Sequence, residues 1–182
     1  MRFFYDTEFL EDGKTIALIS IGIVGEDGSE YYAVNLDAPW KRIREHEWLT
    51  ANVVPSLPLL HGDARNYTRD IINYQHPDMR TYAKIRADVK SFLLGPYAEP
   101  RDVELWAWYG AYDHVALAQM WGPMISLPRG IPMWTNDLRQ EVERLGLDAE
   151  TLAPRKDGHH NAIADARWNR DLHAAITAEA TS

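Results

Sequence analysis

Residues 2–36 read RFFYDTEFLEDGKTIALISIGIVGEDGSEYYAVNL, three runs rich in aromatic and β-branched residues. They are separated by Glu11-Asp12-Gly13 and by Glu26-Asp27-Gly28-Ser29. Aromatic and β-branched side chains suit a pleated surface, and acid-glycine clusters suit tight turns, so the stretch predicts an antiparallel three-stranded meander. Side chains alternate along a strand, which puts Asp6 and Glu8 side by side on one face of the first strand. Two carboxylates on a half-buried strand repel each other and must be neutralised, raised in pKa or bound to a cation. An all-oxygen site of this kind suits magnesium or manganese. The same pair also fits an exposed edge strand whose acids face water.

The chain has 182 residues, 46% of them hydrophobic, enough for one substantial core and one domain over 1–182. No stretch approaches the roughly 20 apolar residues that span a bilayer, and no basic segment leads into an apolar signal core, so a soluble cytoplasmic protein is expected. The absence of cysteine excludes disulfides and thiolate metal sites. A net charge of −8 argues against broad adhesion to nucleic acid, which relies on Lys and Arg displacing counterions. A nucleic-acid ligand would have to be short or single-stranded.

Beyond the meander, residues 39–58 show helical spacing through Trp40, Ile43, Trp48 and Leu49, ended by prolines. Residues 59–78 are polar, aromatic and poorly periodic, and read as an excursion or lid. Residues 79–94 return to helical spacing and stop at Gly95-Pro96. Residues 103–108 (VELWAW) form a short apolar strand in which Trp106 and Trp108 share a face and suit a core. That strand runs through Tyr109-Gly110 into a helix over 111–121 with Asp113 in its first turn, at the strand end where open α/β sheets gather their sites. Helices over 135–145 and 161–178 complete an α/β fold, a mixed sheet with an antiparallel N-terminal meander and parallel strands, flanked by helices.

The segment His159-His160-Asn161-Ala162-Ile163-Ala164-Asp165 adds a third set of reactive groups. With Asn161 as the cap of the last helix, Asp165 is fixed in an early turn and His160 lies on a movable loop before it. A rigid carboxylate suits a metal ligand and an imidazole near neutral pKa suits a general base. Taken alone, these residues also describe a solvated loop and an ordinary helix acid.

In order and local spacing, the three sets together resemble the DEDDh branch of the DnaQ-like 3′-to-5′ exonucleases, which have a ribonuclease-H-like fold. Asp6-Thr7-Glu8 resembles the first motif, Tyr112-Asp113 the second, and His160 with Asp165 the third, in which His and Asp are separated by four residues. The sister branch has Tyr four residues before the final Asp, where this chain has Asn161. Through Phe-Tyr-Asp-Thr-Glu-Phe and Gly-Ala-Tyr-Asp-His it is similar to compact bacterial exoribonucleases related to RNase T and oligoribonuclease, including a polyadenylate-specific group. The resemblance implies two magnesium ions, with manganese as a substitute, held by Asp6, Glu8, Asp113 and Asp165, and His160 as general base. It implies hydrolysis of single-stranded RNA or short oligoribonucleotides from the 3′ end to nucleoside 5′-monophosphates, by a homodimer. Phe9, Leu10, Tyr109 and Tyr112, beside the acidic motifs, are the expected contacts to the terminal nucleotide. Two departures bear on that grip: Phe9-Leu10-Glu11 replaces the Met-Thr-Gly-Leu type of segment, and Tyr109 stands where Asn is common. A phosphodiesterase for short oligonucleotides or DNA 3′ ends, and a non-catalytic RNA-binding module, are the alternatives.

Overall fold

The computed structural model describes residues 1–58, 72–95, 103–155 and 159–180. Strand β1 (Arg2–Glu11) pairs antiparallel with β2 (Ile16–Gly25), and β2 pairs antiparallel with β3 (Glu30–Asn35), which is the meander expected from the sequence. A bulge interrupts the β1–β2 register between Glu8 and Phe9, at the end of the acidic pair. The helical stretch that follows is two helices, α1 (Trp40–Glu45) and α2 (Glu47–Asn52), then a 3-10 turn over Val54–Ser56. His46 makes the break: its backbone is extended and its Nδ1 accepts a hydrogen bond from the Leu49 N–H at 3.3 Å, capping α2.

The helix expected from residue 79 begins later. Met79 and Arg80 form β4 (Met79–Arg80), parallel to Val34 and Asn35 of β3. Thr81 then caps α3 (Tyr82–Leu94), its hydroxyl accepting from the Lys84 N–H. Strand β5 (Glu104–Ala107) lies parallel beside β1 and leads into α4 (Ala111–Ala118), which tightens into a 3-10 turn at Gln119–Trp121. Strand β6 (Asn136–Asp137) precedes α5 (Leu138–Leu145), whose first N–H groups are capped by Asp137; α6 (Ala149–Leu152) and α7 (Ala162–Ala180) follow. The sheet order is β4-β3-β2-β1-β5-β6, a mixed six-stranded sheet flanked by helices and consistent with a ribonuclease-H-like arrangement. Of the expected excursion, residues 59–71 lie outside the described residues; Ile72 is buried with Trp40, Ile43 and Leu49. Among the described residues no helix is long and apolar enough to cross a membrane.

Alternation along β1 divides its side chains between two layers. Phe3 and Tyr5 enter a core with Ile85, Val89 and Leu93 of α3 and Ala116 and Leu117 of α4. Phe4, on the other face, meets His173 of α7 at 5.1 Å between ring centroids. A third cluster joins α5, α6 and α7 through Leu138, Val142, Ala149, Leu172 and Ile176, with Trp106 and Trp108 packed against it.

Helix α7 approaches the sheet most closely at Gly22 of β2. A Cβ there would lie 2.4 Å from the backbone C and O of Ala162 and the Cα of Ile163, so only glycine lets the start of α7 reach the strand. Gly22→Ala is expected to destabilise the protein by about 3 kcal/mol, because backbone rather than a flexible side chain must give way. Urea unfolding measures it; an unchanged midpoint would show that this contact does not set the helix position.

Candidate active site

The N-terminus of α7, the C-terminal half of β1 and the start of α4 enclose a cleft of about 480 Å3. Asp6, Glu8, Asp113, His160 and Asp165 all line it, so residues far apart in the chain converge on one space. Asp6, Glu8 and Asp165 each offer a carboxylate oxygen, and the three oxygens lie within 4.8 Å of one another. Asp113 stands beside this group rather than in it. Its Oδ1 accepts from the Thr7 N–H at 2.8 Å and from the Thr7 hydroxyl at 2.6 Å.

Local structure explains each placement. Asn161 caps α7 as expected: its Oδ1 accepts from the Ala164 N–H at 3.2 Å, and its carbonyl accepts from the Asp165 N–H at 2.9 Å. The Asn161 side chain also donates to the Ser56 carbonyl, tying the helix start to the 3-10 turn. Asn169 of α7 donates to the Tyr5 carbonyl at 2.9 Å, fixing the helix against the residue before Asp6. His160 is less free than a loop position suggests. It takes a left-handed backbone (φ 60°), and its carbonyl accepts from the Ser56 hydroxyl at 2.6 Å. Its ring stands edge-on to Trp48, 4.8 Å between centroids. At the β5–α4 junction the left-handed residue is Tyr109 (φ 56°), while Gly110 is needed for space, because a Cβ would meet Thr135 Cγ2 at 2.9 Å.

Burial and mutual repulsion dominate the electrostatics. Asp6 is held well above the ordinary carboxyl value by burial, then by Asp113, Glu8 and Asp165, with Arg155 opposing. Glu8 is pushed up to about 8 by burial and by Asp165 and Asp113. Burial raises Asp113 to about 6 against the two hydrogen bonds from Thr7. Burial lowers His160 below its ordinary value, with Asp165 opposing, which leaves a neutral imidazole able to accept a proton at physiological pH. Three carboxylates brought this close could hold a cation, and the all-oxygen donor set fits a hard divalent ion.

Comparison with known proteins gives the family. A family model described as the Rv2179c-like 3′-5′ exoribonuclease domain matches residues 65–177. The chain is 44% identical over 167 residues to the protein named 3′-5′ exoribonuclease Rv2179c of Mycobacterium tuberculosis strain ATCC 25618 / H37Rv, covering 92% of this chain and 88% of that relative. The 3′-5′ exoribonuclease MT2234.1 of strain CDC 1551 / Oshkosh matches to the same extent. The chain belongs to the Rv2179c-like 3′-5′ exoribonuclease domain family. Of the cleft residues, Trp108, Tyr109, Tyr112, Asp113, Arg155, His160 and Asp165 fall inside the span matched by the family model, and the remainder, Asp6 and Glu8 among them, precede it.

The expected nucleotide contacts of this family member divide. Phe9 and Tyr112 both line the cleft and lie nearly parallel, 15° between planes and 6.0 Å between centroids. Tyr109 also lines it and is 61% exposed. Leu10 requires correction: it is buried with Ile43, Leu49 and Val53 and is not among the residues lining the cleft. It shares the strand face of Asp6 and Glu8, but one step further along that face is covered by α1 and α2. Trp108 packs on the core as expected yet also lines the cleft.

Three contributions were not read from the sequence. Thr7 alternates with its acidic neighbours along β1 and holds Asp113, a partner 106 residues away that no local pattern marks. Trp48 and His46 reach the cleft from α2 and the residue before it, and no local signal marks them. Arg155 donates to Asp165 Oδ1 at 2.6 Å from the segment after α6, ten residues before the acid it meets and outside the acidic motifs.

Proposed function

We propose that this chain is a metal-dependent 3′-to-5′ exoribonuclease of the DEDDh type, one catalytic domain acting on cytoplasmic single-stranded RNA and releasing nucleoside 5′-monophosphates. The observation that carries the reading is the convergence of the Asp6, Glu8 and Asp165 oxygens within 4.8 Å, in a cleft shared with Asp113 and His160. Asp6, Glu8, Asp113 and Asp165 would hold two divalent ions, magnesium or manganese. When bound, such ions supply Lewis-acid activation of water and neutralise charge at the phosphodiester. His160, neutral and open to the cleft, takes the proton from the attacking water. Thr7 keeps one Asp113 oxygen fixed, which leaves the other to serve an ion. Phe9 and Tyr112, with Tyr109 beside them, stack the terminal base, a contact tolerant of base identity and worth roughly 1 to 3 kcal/mol.

The names of the relatives support RNA as the substrate and the 3′ end as the point of attack. A homodimer is implied by the resemblance to RNase T and oligoribonuclease; Met124, Ile125, Met133 and Trp134 are exposed, with Ile125 at 90%, and are available to such a surface. Sedimentation equilibrium checks that part.

Magnesium-dependent digestion of 5′- and 3′-labelled single-stranded RNA and DNA tests the whole reading. The 5′ label is expected to give a ladder shortening from the 3′ end and the 3′ label to appear at once as mononucleotide, with no cleavage in EDTA. Tails of A and of U in parallel read base preference, and di- to pentanucleotides read the short-substrate alternative. Internal cuts, or hydrolysis that survives EDTA, would overturn the assignment.

A further inference from the structure

Among the described residues lining the cleft, Arg155 is the only Lys or Arg, against five acids. It donates to Asp165 at 2.6 Å, and its guanidinium carbon lies 3.8 Å from the centroid of the Trp168 ring. It also forms a wall of a second cavity, about 450 Å3, lined by Leu152, Pro154, His159, Arg167 and Trp168. Arg155 and Asp165 are thus common to both spaces.

A single guanidinium on one of three clustered carboxylates gives partial neutralisation. It sits where a divalent ion would bring twice its charge, and two cations sharing one acid group repel each other. The same guanidinium is a planar fork suited to two oxygens of a phosphate, and it is held on an aromatic face around which it can turn without losing that contact.

We propose that Arg155 is an exchangeable counter-ion. In the metal-free chain it holds Asp165; when divalent ions load it releases that carboxylate, turns on Trp168, and binds a backbone phosphate of RNA running into the second cavity. Grip on the strand is thereby coupled to metal loading. The inference rests on the reading of the acids as a divalent-ion site, and extends it to a residue that the motifs do not include.

Titration calorimetry with magnesium and anisotropy with a labelled, hydrolysis-resistant phosphorothioate RNA, both on the full chain, test it. Arg155→Gln is expected to bind magnesium about 10-fold more tightly without RNA, because the competing cation is gone, and to bind the RNA about 10-fold more weakly with magnesium present. The slope of log K against log salt should shrink by about 0.7, the signature of one lost phosphate contact on a single strand. Arg155→Lys, which keeps the charge, should retain native magnesium affinity yet lose RNA affinity about 3-fold with the bidentate fork. Weaker or unchanged magnesium binding in Arg155→Gln would mean that Arg155 orients Asp165 permanently, and an unchanged salt slope would remove the phosphate contact; either overturns the proposal. A native chain that binds no magnesium would overturn the metal-site reading itself, an outcome distinct from native binding with indifferent variants.

Discussion

Asp6→Asn is expected to abolish hydrolysis and, in EDTA, to leave a more stable protein. The activity loss should be about 1000-fold or more, because a ligand to ions that stabilise transition-state charge is removed. The stability gain has the opposite sign for a physical reason. Asp6 is half-buried beside Glu8, Asp113 and Asp165, and all of that repulsion is present when no cation offsets it. Asparagine keeps the shape and removes one charge, which should stabilise the metal-free fold by about 2 kcal/mol, or roughly 4–8 °C in a domain of this size.

The pH dependence follows from the same groups. Glu8 rises from an ordinary 4.5 to about 8, and Asp113 from 3.8 to about 6, so the folded chain binds protons that the unfolded chain has released. Their contribution is fully present below the unfolded values and is lost as pH rises through the folded ones. The metal-free melting temperature should therefore fall between pH 5 and pH 8, less steeply in Asp6→Asn, and saturating magnesium should flatten the slope. Differential scanning calorimetry with and without magnesium reads both. A metal-free variant less stable than the native chain at pH 8 would contradict the account of the acids as mutually repelling.

His160→Ala separates proton transfer from metal binding. Turnover is expected to fall by about 100- to 10,000-fold, the usual range for a lost general base. Magnesium affinity should stay near native, because His160 is not one of the clustered oxygen donors. Its backbone is anchored by the Ser56 hydroxyl through a carbonyl that alanine also has, so the loop should keep its path. Single-turnover hydrolysis and calorimetry on the same sample measure the two quantities. Near-native cleavage would reassign the base, and a lost magnesium site would make His160 structural.

Much of this architecture was legible because it is written in local patterns. Turn clusters at 11–13 and 26–29 marked the meander, and the glycine at 110 marked a strand passing into a helix. Misreadings arose where a tertiary contact overrode a local pattern. Residues 79 and 80 continue a helical periodicity, yet β3 offers them a free edge and they pair there. His46 has no helix-breaking character, but its ring caps α2 and divides one helical run into two. Leu10 looked like a cleft residue because it is near Glu8 in sequence, and only the position of α1 and α2 shows it to be covered.

Local sequence was enough to show which acids share a strand face, that a capped helix holds Asp165 one turn from its start, and the motif order on which the resemblance to a nuclease family rests. These follow from backbone periodicity and capping, which act over a few residues. Tertiary structure alone decided that Asp165 stands within 4.8 Å of Asp6 and Glu8, that Thr7 restrains Asp113, and that Arg155 reaches the acids from the segment after α6. The first two depend on the packing of α7 against Gly22 and of α4 against β1, contacts between residues over a hundred positions apart that no local pattern encodes; the third joins residues ten positions apart.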